Sequence, residues 1–355
     1  MQNKTPSWVD QFGRQKRKLR ISVTDCCNFK CSYCMPEHPQ WGNKKDLLSF
    51  EDLFQFCELM VEGGIENIRI TGGEPLMRKG VIHFIERLQS LKSKGLRRVS
   101  MTTNGHYLKH YAQQLKDAGL DDWNVSLDSL NAEQFQEMTK SALAPVLAGI
   151  ECAIEVGLTL KINAVLIKNT NENQILDLVA WAKARRITLR FIEFMPLDGD
   201  AHWNRQAVVT EQEILQILST QYRIQAEVQG HEPARSYVLD VDYRIGIIST
   251  ISHSFCVSCD QIRLTAKGEL YNCLFAVKGL DLKQHIATWH IHPSEALKQN
   301  LLYQIQRYIW HKEAGFDSIF AQNYHAYDRW IKCNDDHRHR ILWKNNPIFT
   351  RRLST

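Results

Sequence analysis

Short β-branched runs alternate with helical periodicities between residues 50 and 195, and that alternation leaves few folds open. Asn67–Thr71, 97–103, 122–127, 159–167 and 188–195 read as strands. Residues 50–62, 79–93, 109–118, 145–156 and 171–185 read as helices, the first opened by Ser49 with the acid Asp52 three residues on and closed by Gly63-Gly64. Strands separated by helical patterns imply parallel βαβ units. About six such units with short connections predict an α/β fold, a partial (β/α)6 barrel related to the closed (β/α)8 form. Chemistry in such barrels sits at the C-terminal ends of the strands.

Successive strand residues face opposite sides of a sheet. Arg69 and Thr71 therefore share a face, as do Thr102 and Asn104, Ser126 and Asp128, Lys161 and Asn163, and Glu193 and Met195. Their neighbours Ile68, Ile70, Val125, Leu127, Leu160, Ile162 and Ala164 are apolar. A plain barrel fills its interior with branched apolar side chains, so polar residues repeated near strand ends predict a lined cavity.

One further strand runs straight into a cysteine loop, LRISVTDCCNFKCSYCMP at residues 19–36. Cys27, Cys31 and Cys34 follow the spacing C-x3-C-x2-C, three thiolates where a tetrahedral zinc site or a complete cuboidal iron–sulfur cluster wants four. In a cluster, one iron is left open to bind a cofactor and pass it an electron. On spacing alone, zinc with a fourth ligand from elsewhere stays an alternative, and a C-x4-C-x2-C triad starting at Cys26 can also be written. Thr71-Gly72-Gly73-Glu74-Pro75 ends the second strand: its glycines let the backbone approach a ligand closely, and Glu74 can receive an ammonium group.

Beyond residue 200 the rhythm changes. Residues 236–249 read as antiparallel strands, and residues 262–270 as a hairpin around Lys267-Gly268. Cys256, Cys259 and Cys273 form a second triad, C-x2-C-x13-C, again short of a fourth ligand and again open to zinc or to a cluster with an open iron. Cys57 and Cys152 fall on helical faces as core residues, and Cys333 stands alone in a polar tail. Residues 293–315 predict a long helix packing a Leu297, Leu301, Ile305, Tyr308 stripe on the barrel. Asp335 to Arg340 read as part of a solvated basic tail. The expected organisation is a barrel over 1–200, an auxiliary cluster region over 201–290, and a helix with a polar tail over 291–355.

Composition sets limits. Ten cysteines in 355 residues are too sparse for a disulfide scaffold. The formal charge of +5, from 44 Lys and Arg against 39 Asp and Glu, suits an anionic small substrate and falls short of a nucleic-acid binder. The polar, basic leader lacks an apolar signal region, its GRQKRK cluster at 13–18 reads as solvated, and no apolar run approaches a membrane span. A soluble, reducing, cytoplasmic setting is expected.

With aromatic Tyr33 inside the first triad, the loop resembles the signature of the radical S-adenosylmethionine (SAM) enzymes. LRISVTD, RITGGEPL, TTNG, NVSLDSL, FIEFMP and FCxxCxxxRLTxxGxLxxCLF, in that order from about residue 18 to about residue 276, resemble the GTP 3′,8-cyclases of molybdenum cofactor biosynthesis. The resemblance implies two [4Fe-4S] clusters and SAM as cofactors. The first cluster, on Cys27, Cys31 and Cys34, would cleave SAM to a 5′-deoxyadenosyl radical that takes the 3′ hydrogen of GTP. The ribose carbon then attacks C8 of guanine, a lyase reaction giving 3′,8-cyclo-7,8-dihydroguanosine 5′-triphosphate. Tyr33, Gly73, Glu74, Ser126 and Met195 correspond to cofactor contacts. Arg20, Arg69, Thr102, Lys161, Gln261, Ile262 and Arg263 correspond to substrate contacts, with Arg20, Arg69 and Lys161 as catalytic cations. Cys256, Cys259 and Cys273 correspond to the ligands of the second cluster, whose open iron binds the purine. Implied partners are GTP, a reduced flavodoxin- or ferredoxin-type donor, the next enzyme, cyclic pyranopterin monophosphate synthase, and a second copy in a homodimer.

Three departures stand out. The family has arginine in place of Cys26, and a second arginine within the segment Asp260, Gln261, Ile262 and Arg263. Its members end in a Gly-Gly tail, whereas this sequence ends RRLST, which predicts either a truncated sequence or a diverged paralogue that cleaves SAM and binds GTP but turns it over poorly. A radical SAM enzyme acting on a peptide is the alternative reading, and a metal-stabilised binding protein the third.

Overall fold

A computed structural model describes residues 7–319 apart from 37, 40–42, 198–202, 229, 231 and 277. Six strands, β1 (Lys18–Ser22), β2 (Asn67–Thr71), β3 (Arg98–Thr103), β4 (Asp122–Ser126), β5 (Thr159–Leu166) and β6 (Thr188–Glu193), lie side by side in chain order and parallel. The helices between them are α1 (Phe50–Glu62), α2 (Val81–Leu88), α3 (Leu108–Asp117), α4 (Ala132–Thr139), α5 (Leu143–Glu155) and α6 (Ile175–Ala184). This is the expected run of βα units, open at both ends.

After α7 (Glu211–Ser219) the sheet continues at both edges. Beyond β6 lie β9 (Tyr243–Ile248), parallel to it, then β8 (Arg235–Leu239) and β7 (Ile224–Ala226), both antiparallel. Beside β1 lie β10 (Gln261–Leu264), parallel, then β11 (Glu269–Tyr271) and β12 (Leu280–Asp281). Gly268, at φ +89°, takes the left-handed turn of the β10–β11 hairpin that Lys267-Gly268 predicts. Two helices close the described chain, α8 (Lys283–Ile291) and α9 (Glu295–Trp310).

Local chemistry accounts for the elements. Ser49 and Asp52 make a reciprocal capping box at the start of α1, which buries Leu53, Phe56, Leu59 and Met60. Gly63 permits the indole of Trp8 to close over the helix end, where a Cβ would come within 2.2 Å of Nε1. The sequence reading passes over α4, whose AEQFQEMT offers only Phe135 and Met138 to the core; its signal is the Asn131 N-cap, which accepts from the Gln134 amide. The predicted stripe on α9 is displaced: Leu301, Leu302, Ile305 and Ile309 are buried, while Leu297 is exposed. Cys57 is core, as expected, and Cys152 is half-buried. Cys333 and the Asp335 to Arg340 tail lie outside the described residues. No helix among those residues is long and apolar enough to cross a membrane.

Candidate active site

The inner face of the parallel strands lines a cavity of about 410 Å³, into which Cys27, Cys31 and Cys34 all open. Cys26 is not part of its wall; its carbonyl accepts from the Glu74 amide at 2.8 Å. The Cys27 sulfur accepts from the Phe29 amide at 3.4 Å and faces Asn104 Nδ2 at 3.8 Å. Burial and neighbouring negative groups push the three thiols up, Cys27 to about 12 and Cys34 to about 11, with Cys31 well above its ordinary value. As thiolates they need positive charge supplied from outside the triad. None of the six triad cysteines is in a disulfide.

Gly72 and Gly73 serve an approach of backbone to backbone. A Cβ on Gly73 would lie 2.2 Å from the Cys26 carbonyl oxygen, and one on Gly72 2.8 Å from that of Thr24. Gly73 N and Glu74 N in turn donate to those two carbonyls, so the second strand end is sewn to the cysteine loop. Glu74 departs from expectation. It is buried away from the cavity, accepting from Leu76 N at 3.1 Å, Thr103 Oγ1 at 2.8 Å and Asn104 N at 2.8 Å, and burial raises it to about 7. A carboxylate already satisfied by three protein donors is a brace for the loop after β3, not an ammonium receptor.

Tyr33, in the cavity wall, donates to Asp128 Oδ2 at 2.6 Å, while Asp128 Oδ1 accepts from Val165 N at 2.8 Å. Thr102, Ser126, Lys161 and Asn163 line the same space, as the strand alternation predicts, and Met195, beyond the end of β6, lines it too. Two other positions differ from expectation. Glu193 borders the cavity, but its carboxylate is engaged on the buried face of β6, where it accepts from the amides of Glu211, Ile251 and Ser252; the strand ends there, so alternation does not carry on to Met195. Ile262 is fully buried in the core, because on β10 it is Gln261 and Arg263 that point inward.

The floor of the cavity is cationic. Arg263, Arg20 and Arg69 stand in register on three adjacent parallel strands, about 4.8 Å apart. Lys161 and Arg190 continue the lining on β5 and β6. Burial, then Arg263 and Arg69, pull Arg20 down to about 9; burial, then Arg69, pull Arg190 down to about 10. Asp122 offers partial relief, with oxygens 3.6 Å from Arg69 and 3.2 Å from Arg98. Arg20 Nε, Arg69 Nη1, Arg190 Nε and Nη2, and Arg263 Nε are nevertheless buried without hydrogen-bond partners, as are Asn124 Oδ1, Asn163 Oδ1 and Thr250 Oγ1. Each such group costs about 1–3 kcal/mol unless a ligand satisfies it.

Cys256, Cys259 and Cys273 stand behind the far rim, formed by Phe255, Gln261, Arg263 and Leu274. No three His, Cys, Asp or Glu side chains among the described residues converge closely enough to hold a single metal ion. The fit to an iron–sulfur cluster therefore rests on donor chemistry: three cysteines presented together at one wall of a cavity whose polar groups lack partners.

Two family models match the chain, the radical SAM superfamily over residues 21–182 and Molybdenum Cofactor Synthesis C over 187–318. A GTP 3′,8-cyclase of Streptomyces coelicolor is 39% identical over 325 residues, covering 88% of this chain and 93% of that protein. One from Campylobacter jejuni is 41% identical over 297 residues, 83% and 91% of the two chains. The chain belongs to the GTP 3′,8-cyclase family. Its fold is also that of SuiB from Streptococcus suis, solved with precursor peptide SuiA, at TM-score 0.60, 15% identity and 82% and 68% coverage.

As a member of the GTP 3′,8-cyclase family the chain is a radical SAM enzyme that uses SAM and an iron–sulfur cluster. Arg190 is a cavity residue absent from the sequence expectations, whereas Asp128 is on the expected cavity face but without a role assigned to it. The signal for Arg190 was present: Leu189 and Phe191 are apolar, so Thr188, Arg190 and Ile192 had to face inward. Carrying the alternation back from Met195 instead selected Glu193.

Proposed function

We infer that the chain is a GTP 3′,8-cyclase of molybdenum cofactor biosynthesis, a lyase that binds SAM beside the first cysteine triad and GTP over the cationic floor. The observation that carries this reading is the row Arg263, Arg20 and Arg69 with Arg190, whose unpartnered donors lie with Lys161 around the same cavity as the cysteines. Hydrogen bonds from buried guanidinium groups to phosphate contribute about 1.5–3 kcal/mol each. A triphosphate satisfies several at once and also neutralises their charge, which the uncharged carbonyls of a peptide backbone cannot do.

Cys27, Cys31 and Cys34 would hold a [4Fe-4S] cluster with one open iron, and Cys256, Cys259 and Cys273 a second. Bound SAM with the first cluster supplies a hydrogen-abstracting radical. The chain's own residues do the placing. Asp128 fixes the Tyr33 hydroxyl at the cavity wall, and Gly73, Ser126 and Met195 line the same cavity as the first triad. Thr102, Lys161 and Gln261 line the same cavity, and a nucleotide anchored there by its phosphates would present its ribose to bound SAM and its base to the second triad. A flavodoxin- or ferredoxin-type reductant, the next enzyme of the pathway and a cytoplasmic homodimer complete the reading. Equilibrium dialysis tests the anion site: GTP should bind at least a hundredfold more tightly than guanosine, with a steep salt dependence, and equal binding of the two would refute it.

A further inference from the structure

Three buried cations stand on the backbone of the second cysteine triad. Arg14 Nη1 donates to the Cys256 carbonyl at 2.7 Å, and Lys16 Nζ to that of Cys259 at 2.8 Å. Lys312 Nζ donates to the carbonyl of Asn272, the residue before Cys273. Arg14 also donates to the carbonyls of Glu313 and Ala314 at 2.8 and 2.7 Å, drawing the segment after α9 against the same loop. There the Phe316 amide points at the Cys256 sulfur at 3.3 Å, an approach that Gly315 leaves room for: a Cβ on it would meet Cys256 Cβ at 2.8 Å.

The charges around this loop do not balance within the described protein. Asp10, fully buried, accepts from Arg14 Nε at 2.6 Å and Lys16 Nζ at 2.7 Å, one carboxylate for two cations. Among the described residues no carboxylate pairs with Lys312 or with Arg263. Buried charges are paired or bind ions; the carboxylate next in the loop, Asp260, lies 3.3 Å from Lys18, and the other nearby groups able to become anionic are the three thiols. The first triad has a different setting: the carboxylates of Glu74 and Asp128 are its neighbours, and Arg20, beside Cys34, is the cation whose charge it feels.

Resting on the two-cluster reading above, we propose that Arg14, Lys16 and Lys312 are positioning residues that preset the second triad. They fix its loop and supply the positive charge that retains an anionic thiolate cluster there and raises its reduction potential above that of the cluster on the first triad. Backbone bonds alone would place the loop; the excess charge acts on the bound group, because each added electron is stabilised by a neighbouring cation in a low-dielectric setting.

The test is an anaerobic redox titration of the full chain, reconstituted with iron and sulfide and followed by electron paramagnetic resonance. A Cys256→Ser/Cys259→Ser/Cys273→Ser protein assigns the two signals. Lys16→Gln keeps a donor for the Cys259 carbonyl but loses the charge; it should move the second signal to more negative potential by at least tenfold in the one-electron equilibrium, about 59 mV, leave the first unmoved, or lose the second cluster's iron outright. Lys16→Arg should restore the wild-type value. Lys312→Met, which does not touch Asp10, should move the second signal the same way. Wild-type protein with iron for a single cluster would overturn the two-cluster reading and this inference together. Two clusters in wild type, with unshifted potentials in both Lys16→Gln and Lys312→Met or an equal shift in Lys16→Arg, would overturn the inference alone.

Discussion

The Tyr33 hydroxyl donates to Asp128 Oδ2 at 2.6 Å, tying the cysteine loop to the end of β4 across 95 residues of sequence. Asp128 is buried and raised to about 6, with burial the main cause. Tyr33→Phe leaves Oδ2 without that donor. It should lower the stability of cluster-free protein by about 1–3 kcal/mol in urea unfolding, and weaken SAM binding while leaving GTP binding within twofold.

Gly73→Ala should be more damaging than its size suggests. A Cβ 2.2 Å from the Cys26 carbonyl oxygen forces the second strand end off the cysteine loop, at roughly 1–3 kcal/mol. Iron retained after gel filtration and SAM affinity should both fall at least fivefold. Cys26→Ala, outside the cavity, should retain iron like the wild type, and loss of iron there with retention in Cys27→Ala would show the triad to be one residue out of register.

Glu74 supplies a pH test. Its pKa is about 7 in the fold and near 4.5 when unfolded, so the folded state takes up a proton relative to the unfolded one between these values. A raised carboxyl contributes stability that is present below about pH 4.5 and lost as pH rises through about 7. Denaturant midpoints of cluster-free protein across that window, compared with those of Glu74→Gln, should show a difference that shrinks as pH rises, by roughly 3 kcal/mol overall. A pH-independent difference would contradict the assignment.

How much of this was legible beforehand differs by element. Strands β2 to β6 and the inward faces of Arg69, Thr102, Ser126 and Lys161 follow from period-2 patterning, because each strand has one core face and one cavity face. Ile262 and Glu193 show where that logic was not applied: both sit on the apolar side of strands whose inward residues, Arg263 and Arg190, were readable by the same rule. Glu74 could not be placed from sequence, since its partners Thr103 and Asn104 come from another strand end. The cation clamp on the second triad joins residues 10–16 to 312, a pairing no local pattern encodes.

Arg190→Ala should remove charge-assisted bonds worth about 1.5–3 kcal/mol, raising the Kd for GTP roughly ten- to hundredfold. Reductive SAM cleavage without GTP should be unchanged, which separates the anion floor from the SAM side.

The central claim is that one cavity brings SAM and the ribose of GTP together. The most direct measurement supplies GTP deuterated at the ribose 3′ carbon to reduced, reconstituted protein with SAM and analyses the products by mass spectrometry. The account predicts one deuterium in the 5′-deoxyadenosine, with 3′,8-cyclo-7,8-dihydroguanosine 5′-triphosphate formed alongside it. Unlabelled 5′-deoxyadenosine with intact GTP, from protein that cleaves SAM at full rate, would contradict it.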